Sequence, residues 1–261
     1  MKPPPGGLAV PLLVSALLLS SCDAFFSTNL FQKAGLGQQK TPSASTLASM
    51  SVSDLKSLAE SPSFYSDLSS DSAKKTAVLD NLSGVFTPPA SGGAATVQEA
   101  AALYAQVELN TTDAAAMVSD VVSAVATTNL SSLDTGDNII TFLKATLPSD
   151  VLSDSSGAKF EAAVNALISA QSAYAALGQS ISSNGGATTL GTADIGDAAQ
   201  GALLSYALAG ISITAGGSGD TAKDLWGQIT GTGSATVSFT TPSDSNLTAI
   251  LDAANSPYTF S

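Results

Sequence analysis

The chain has 261 residues, a formal net charge of −12, 44% hydrophobic residues and only 11% charged ones. It contains no His and no Arg, so all nine cations are Lys, and it has one Cys and one Trp. Without those side chains no Ser-His-Asp or Cys-His nucleophile, no His- or Cys-ligated zinc and no arginine clamp on phosphate can be built. An acidic, Arg-free chain also lacks the electrostatic footprint of a nucleic-acid binder.

Residues 1–22 read MKPPPGGLAVPLLVSALLLSSC. Lys2 supplies a thin positive start, Leu8 to Leu19 form an apolar run, and small residues precede Cys22. This is the anatomy of a secretory signal, too short to span a bilayer, which needs roughly 20 apolar residues. Leu19-Ser20-Ser21-Cys22 resembles the lipobox of bacterial lipoproteins. The resemblance implies removal of residues 1–21 as a signal peptide, a diacylglycerol on the Cys22 sulfur and an acyl chain on its new amino group. Two or three chains at one site anchor stably where one is marginal. It places the body in the bacterial envelope, periplasmic or extracellular. Asp23, which favours inner-membrane retention in some Gram-negative bacteria but not in other groups, assigns no leaflet.

After the anchor, residues 22–50 are rich in Ser, Thr, Gln and Gly and read as a flexible tether; a single helical domain is expected over 51–261. Ser51 opens a short helix carrying Leu55 and Leu58, ended by Pro62. Asp71 caps a helix with Val78, Leu79 and Leu82. The run 88–95 (PPASGGAA) is the clearest breaker and a candidate subdivision of the domain. Thr96 and Glu99 fit a capping box for a helix with Val97, Ala101, Tyr104 and Val107 on one face. Asp113 begins another, with Met117, Val118, Val121, Val122 and Val125. Asp137 begins a third, with Ile140, Leu143 and Leu147, closed by Pro148.

The longest helix is expected over about 158–182, where Phe160, Val164, Leu167, Tyr174, Leu177 and Ile181 repeat at three and four residues. A helix over 194–213 follows, apolar nearly all round. Charge is absent between Glu161 and Asp194 and again between Asp197 and Asp220. A buried hairpin at the middle of a bundle is preferred over a membrane-inserting one, because Gln171, Ser172, Gln179, Ser180 and Gln200 interrupt the apolar surface. Asp220 caps a helix with Leu225, Trp226 and Ile229. Residues 231–241 alternate and are β-branched, a short β or extended segment, and Ser243 caps a last helix with Leu247, Ile250 and Leu251. The fold class is all-α: an irregular multi-helix bundle or helical array of about nine helices. Short connections favour antiparallel neighbours.

The search for chemistry returns weak patterns. Ser-x-x-Lys occurs at Ser53/Lys56, Ser72/Lys75 and Ser156/Lys159, as in penicillin-binding enzymes, but without their S-D-N and K-T-G elements. Asp150, Asp154 and Glu161 hold positions 1, 5 and 12 of a calcium loop, yet Leu152 and Ser155 break it. Asp134-Thr-Gly-Asp137-Asn138 offers oxygen ligands and also reads as a turn plus cap. No catalytic residue, metal or cofactor is expected. The chain reads as a non-enzymatic, membrane-anchored binding or scaffold subunit of an envelope assembly, with a protein partner. The alternative is a carrier or receptor for a small apolar ligand or lipid, with a pocket lined by Tyr104, Phe160, Tyr174, Tyr206 and Trp226.

Overall fold

The computed structural model describes residues 41–61, 63–88, 90–125, 136–240 and 242–256. Cys22 and the expected signal and tether up to residue 40 lie outside them, as do Pro62, Pro89, Asp134, Thr241 and residues 257–261. The side chain of Val125 is also outside the described set.

In chain order the elements are α1 (Ala44–Leu47), α2 (Val52–Ala59), α3 (Phe64–Ser70), α4 (Ser72–Phe86), α5 (Ala94–Asn110), α6 (Ala114–Val125), α7 (Gly136–Thr146) and α8 (Ser149–Leu152). Then come α9 (Ala158–Ser183), α10 (Thr192–Ala209), β1 (Ile211–Ala215), α11 (Thr221–Thr230), β2 (Thr236–Phe239) and α12 (Ser245–Ala253). The protein is all-α with one small two-stranded sheet, and the described residues hold twelve helices where about nine were expected.

Helix starts follow from short polar side chains on otherwise unpaired amides. Ser51 Oγ accepts from the Asp54 N–H at 3.2 Å and donates to the Asp54 carboxylate at 2.6 Å. Asp71 Oδ1 accepts from the N–H groups of Ala73 and Lys74, and Asp220 Oδ1 from that of Lys223. Two expected caps are displaced. Ala94 and Ala95 are already helical behind Gly93, so Thr96 lies inside the first turn of α5 and caps nothing. The last helix is capped by Asp244, whose Oδ1 accepts from the Asn246 N–H at 2.7 Å, and not by Ser243.

The body begins before residue 51. Thr41 and Leu47 are buried, and the Asn81 amide of α4 donates to Leu47 O at 2.8 Å and Met50 O at 2.9 Å. Residues 41–50, assigned above to the tether, therefore belong to the packed domain. The expected helix over 194–213 ends at Ala209. After Gly210 the backbone extends into β1, which pairs antiparallel with β2, Ile211 opposite Phe239 and Ile213 opposite Val237. The extended segment expected over 231–241 thus has a partner strand. The breaker at 88–95 does not divide the domain: α4 and α5 on its two sides pack on each other, and Lys75 of α4 meets Glu108 of α5 at 2.7 Å.

One contiguous core runs from Leu47 to Leu251, with α9 at its centre. α9 packs most extensively on α5, then on α12 and α10, and also meets α6 and α11. All six residues of its expected stripe are buried. Removing each such large side chain from water contributes about 1.5–3 kcal/mol. Close approach depends on small residues. A Cβ on Gly178 of α9 would collide with the backbone of Asn246 in α12, and one on Gly201 of α10 with the Tyr174 hydroxyl. The first uncharged stretch and the second as far as Ala209 lie in the α9–α10 hairpin inside this bundle, and the rest of the second forms β1 and the glycine-rich loop after it. No described helix is long and apolar enough to cross a membrane.

Candidate functional site

The five aromatic side chains of the expected apolar pocket occupy separate settings. Tyr104 on α5 packs edge-on against Phe86 of α4, ring centroids 5.4 Å apart. Phe160 at the start of α9 lies against Trp226 of α11, also at 5.4 Å, and Trp226 covers Gly157 so closely that a Cβ there would clash with the indole. Gly157 has φ 74°, a left-handed conformation that a larger residue rarely adopts. Tyr174 is buried against Gly201. Of the five, only Tyr206 lines one of the clefts described below.

In each Ser-x-x-Lys motif the lysine meets a carboxylate. Lys56 is shared between Glu99 of α5 at 3.7 Å and Asp194 of α10 at 3.4 Å. Lys75 pairs with Glu108, and Lys159 with Asp150 at 3.4 Å. Two of the three serines bond locally: Ser53 Oγ with Ser51 Oγ, and Ser156 Oγ to Asp154 at 2.6 Å. The calcium-loop spacing has an equally local meaning. Asp154 accepts from Ser156 and from the Lys159 N–H, closing the turn that leads into α9. The Ser156 hydroxyl above all, then the Lys159 amide, hold its carboxyl below the ordinary range. No group of three or more His, Cys, Asp or Glu among the described residues is placed to hold a metal ion.

Sequence reasoning missed several buried polar groups, two of which stand out. Gln98 on α5 is fully buried; its Oε1 accepts from the Thr189 N–H at 2.8 Å and from the hydroxyls of Thr188 and Thr189, which pins the α9–α10 loop to α5. Asp197, in the second turn of α10, is 7% exposed, and its Oδ1 is buried without a hydrogen-bond partner. Burial first, and the charge of Asp194 second, push its carboxyl up to about 7. Asp197 in turn adds to the burial that raises the Tyr174 phenol. The available signal was position: Asp197 is the last charge before a long uncharged stretch, on a helix apolar nearly all round.

Among the open clefts that indent the described surface are three of similar size. One of about 550 Å³ lies between β1 and the Gly216–Gly219 loop, where the Asp224 carboxylate already accepts the Ser218 N–H at 2.8 and 2.9 Å. One of about 410 Å³ lies beside Phe86, Val97 and Ala176, at the end of α4. The third, of about 480 Å³, is bordered by Gln171, Tyr206, Gly210, Ser212, Thr240 and Asp244, where α10 gives way to the sheet and α12 begins. The Tyr206 hydroxyl there is buried and has no hydrogen-bond partner. Comparison of the chain with protein-family models, with curated proteins and with solved structures gives no match.

Proposed function

We propose that this chain is an acyl-anchored lipoprotein of the bacterial envelope, whose helical body serves as a binding or scaffold subunit of an envelope assembly. The observation that carries the reading is Leu19-Ser20-Ser21-Cys22 at the end of a signal-like apolar run, with Cys22 the sole cysteine of the chain. Supporting it, the described lysines of the Ser-x-x-Lys motifs are engaged in ion pairs, and the chain has neither His nor Arg. The body faces the periplasm or the exterior and meets its partner protein there, held to the membrane through lipid.

A carrier for an apolar molecule draws less support. Its five proposed pocket residues are spread over separate packing environments, and four of them are spent on Phe86, on each other or on Gly201. Crosslinking of intact membranes followed by affinity isolation of the chain tests the scaffold reading. A partner protein recovered in constant stoichiometry is expected; repeated recovery of the chain alone contradicts it.

A further inference from the structure

Charge is missing from a further part of the chain besides the α9–α10 hairpin: none occurs between Asp80 and Glu99. The fold brings this stretch against α9. The described residues lining the cleft of about 410 Å³ all come from these two charge-free segments, Phe86, Pro88 and Val97 from one, Ala176, Gln179 and Ser183 from the other. Its walls are tied in place. The Ser91 N–H donates to Val85 O at 2.9 Å, the Asn184 amide donates to Ala187 O at 2.9 Å, and Gln98 pins the loop beyond to α5. A partner therefore meets a surface that is already formed.

Among the described residues two large apolar side chains are exposed, Leu152 and Ile168, each at 38%. Ile168 stands on the helix that forms the cleft wall. Ile168, Ser172, Ala176, Gln179 and Ser183 follow at four, four, three and four residues, which sets them along one side of α9. Ala176 is half-buried and the other four are exposed. At about 1.5 Å of rise per residue, Ile168 lies roughly 12–17 Å from the part of the cleft formed by Ala176 and Gln179. One side of α9 thus carries an apolar projection and an apolar hollow, with Ser172 between them and no charge.

Such a side is complementary to itself. Two copies of α9 crossing antiparallel about a two-fold axis near Ser172 set Ile168 of each over the hollow of the other, a closed, isologous contact. Small side chains at Ser172 and Ala176 let the two helices approach. Charge selects the same surface. The chain carries −12, so two copies repel through most of their exterior, and the repulsion is weakest where charge is absent. The cores of protein interfaces are depleted of charge in the same way.

We propose that this side of α9 pairs with the same side of a second copy, each Ile168 seated in the other's cleft. The pairing does not depend on acylation of Cys22. Cysteine crosslinking of the full chain, isolated from cells and mildly oxidised, tests it, because a disulfide needs Cα atoms within about 7 Å. Ser172→Cys, beside the axis, is expected to give a disulfide dimer. So is the double variant Ile168→Cys/Gln179→Cys, whose two thiols lie too far apart to bridge within one chain. Either of those cysteines alone faces a different residue of the second copy and gives about fivefold less dimer. The chain without added cysteine is the baseline, since any dimer it forms runs through Cys22. Adding Ile168→Glu to Ser172→Cys lowers the dimer about fivefold, with the helical circular dichroism intact. No dimer above baseline from Ser172→Cys or from the double variant overturns the proposal. So does equal dimer from Ser66→Cys on α3, outside this face, or a disulfide band that holds a different polypeptide in place of the second copy.

Discussion

Asp197 holds a carboxylate oxygen that no group of the described chain satisfies, one turn after the negative Asp194. Lys56 is engaged by Asp194 and Glu99. In the unfolded chain an Asp titrates near 3.9; in the folded protein Asp197 titrates at about 7. Between those values the folded state holds a proton that the unfolded chain has released. Stability therefore falls as pH rises through this window and levels off above it. Asp197→Asn is expected to remove that slope. It should stabilise the protein by about 2 kcal/mol near pH 8 and by much less near pH 4. Urea unfolding of both proteins across this range checks it; an equal difference at all pH values contradicts it. Little of this was legible beforehand. Sequence shows that an Asp interrupts an apolar helix, but whether it faces solvent depends on which side α5, α6 and α9 cover. For the same reason the aromatic residues grouped above into one pocket could not be assigned their true neighbours: Phe160 and Trp226 meet across 66 positions of chain.

At the scale of elements, capping and close packing make separable demands. Asp71→Ala removes the acceptor for two amides at the start of α4 and is expected to lower stability by about 1 kcal/mol, read from denaturant midpoints. Gly178→Ala forces a methyl group into the Asn246 backbone, where no flexible side chain can yield, so a loss of about 2 kcal/mol is expected. A neutral Gly178→Ala would mean that α9 and α12 are not in contact there. Element starts marked by Ser51, Asp71 and Asp220 were readable because a capping side chain acts within a few residues of itself. α3 was not, because Phe64 and Leu68 give a single turn of spacing between serine-rich flanks. The junction at Gly210 was passed over for a different reason. Ile211 and Ile213 continue the apolar composition of α10, and only pairing with Phe239 and Val237, more than twenty residues later, makes that stretch a strand.

For the whole molecule, the sequence alone supports the all-α class, the central place of 158–182 and the preference for a buried hairpin over a membrane-inserting one. The extent of the domain was less accessible. Residues 41–50 have the composition of a tether and are held by Asn81 and by burial of Leu47, contacts that span some thirty residues. A chain with one Cys has no internal disulfide, so its stability rests on the packing of α5, α9, α10 and α12. Replacing Cys22 by Ser is expected to release the protein from membranes without altering its unfolding midpoint, since the described domain begins well after that position. Membrane fractionation at high salt checks the first part. A mutant still bound at high salt would place the anchor elsewhere in the chain.

The central claim, a body tethered through lipid on Cys22, is tested most directly by the intact mass of the protein extracted from membranes. The predicted mass is that of residues 22–261 plus a diacylglyceryl group and an amide-linked acyl chain, with the added mass confined to the N-terminal peptide. A mass that retains residues 1–21, or a mature chain beginning at or near Cys22 without lipid, would contradict it.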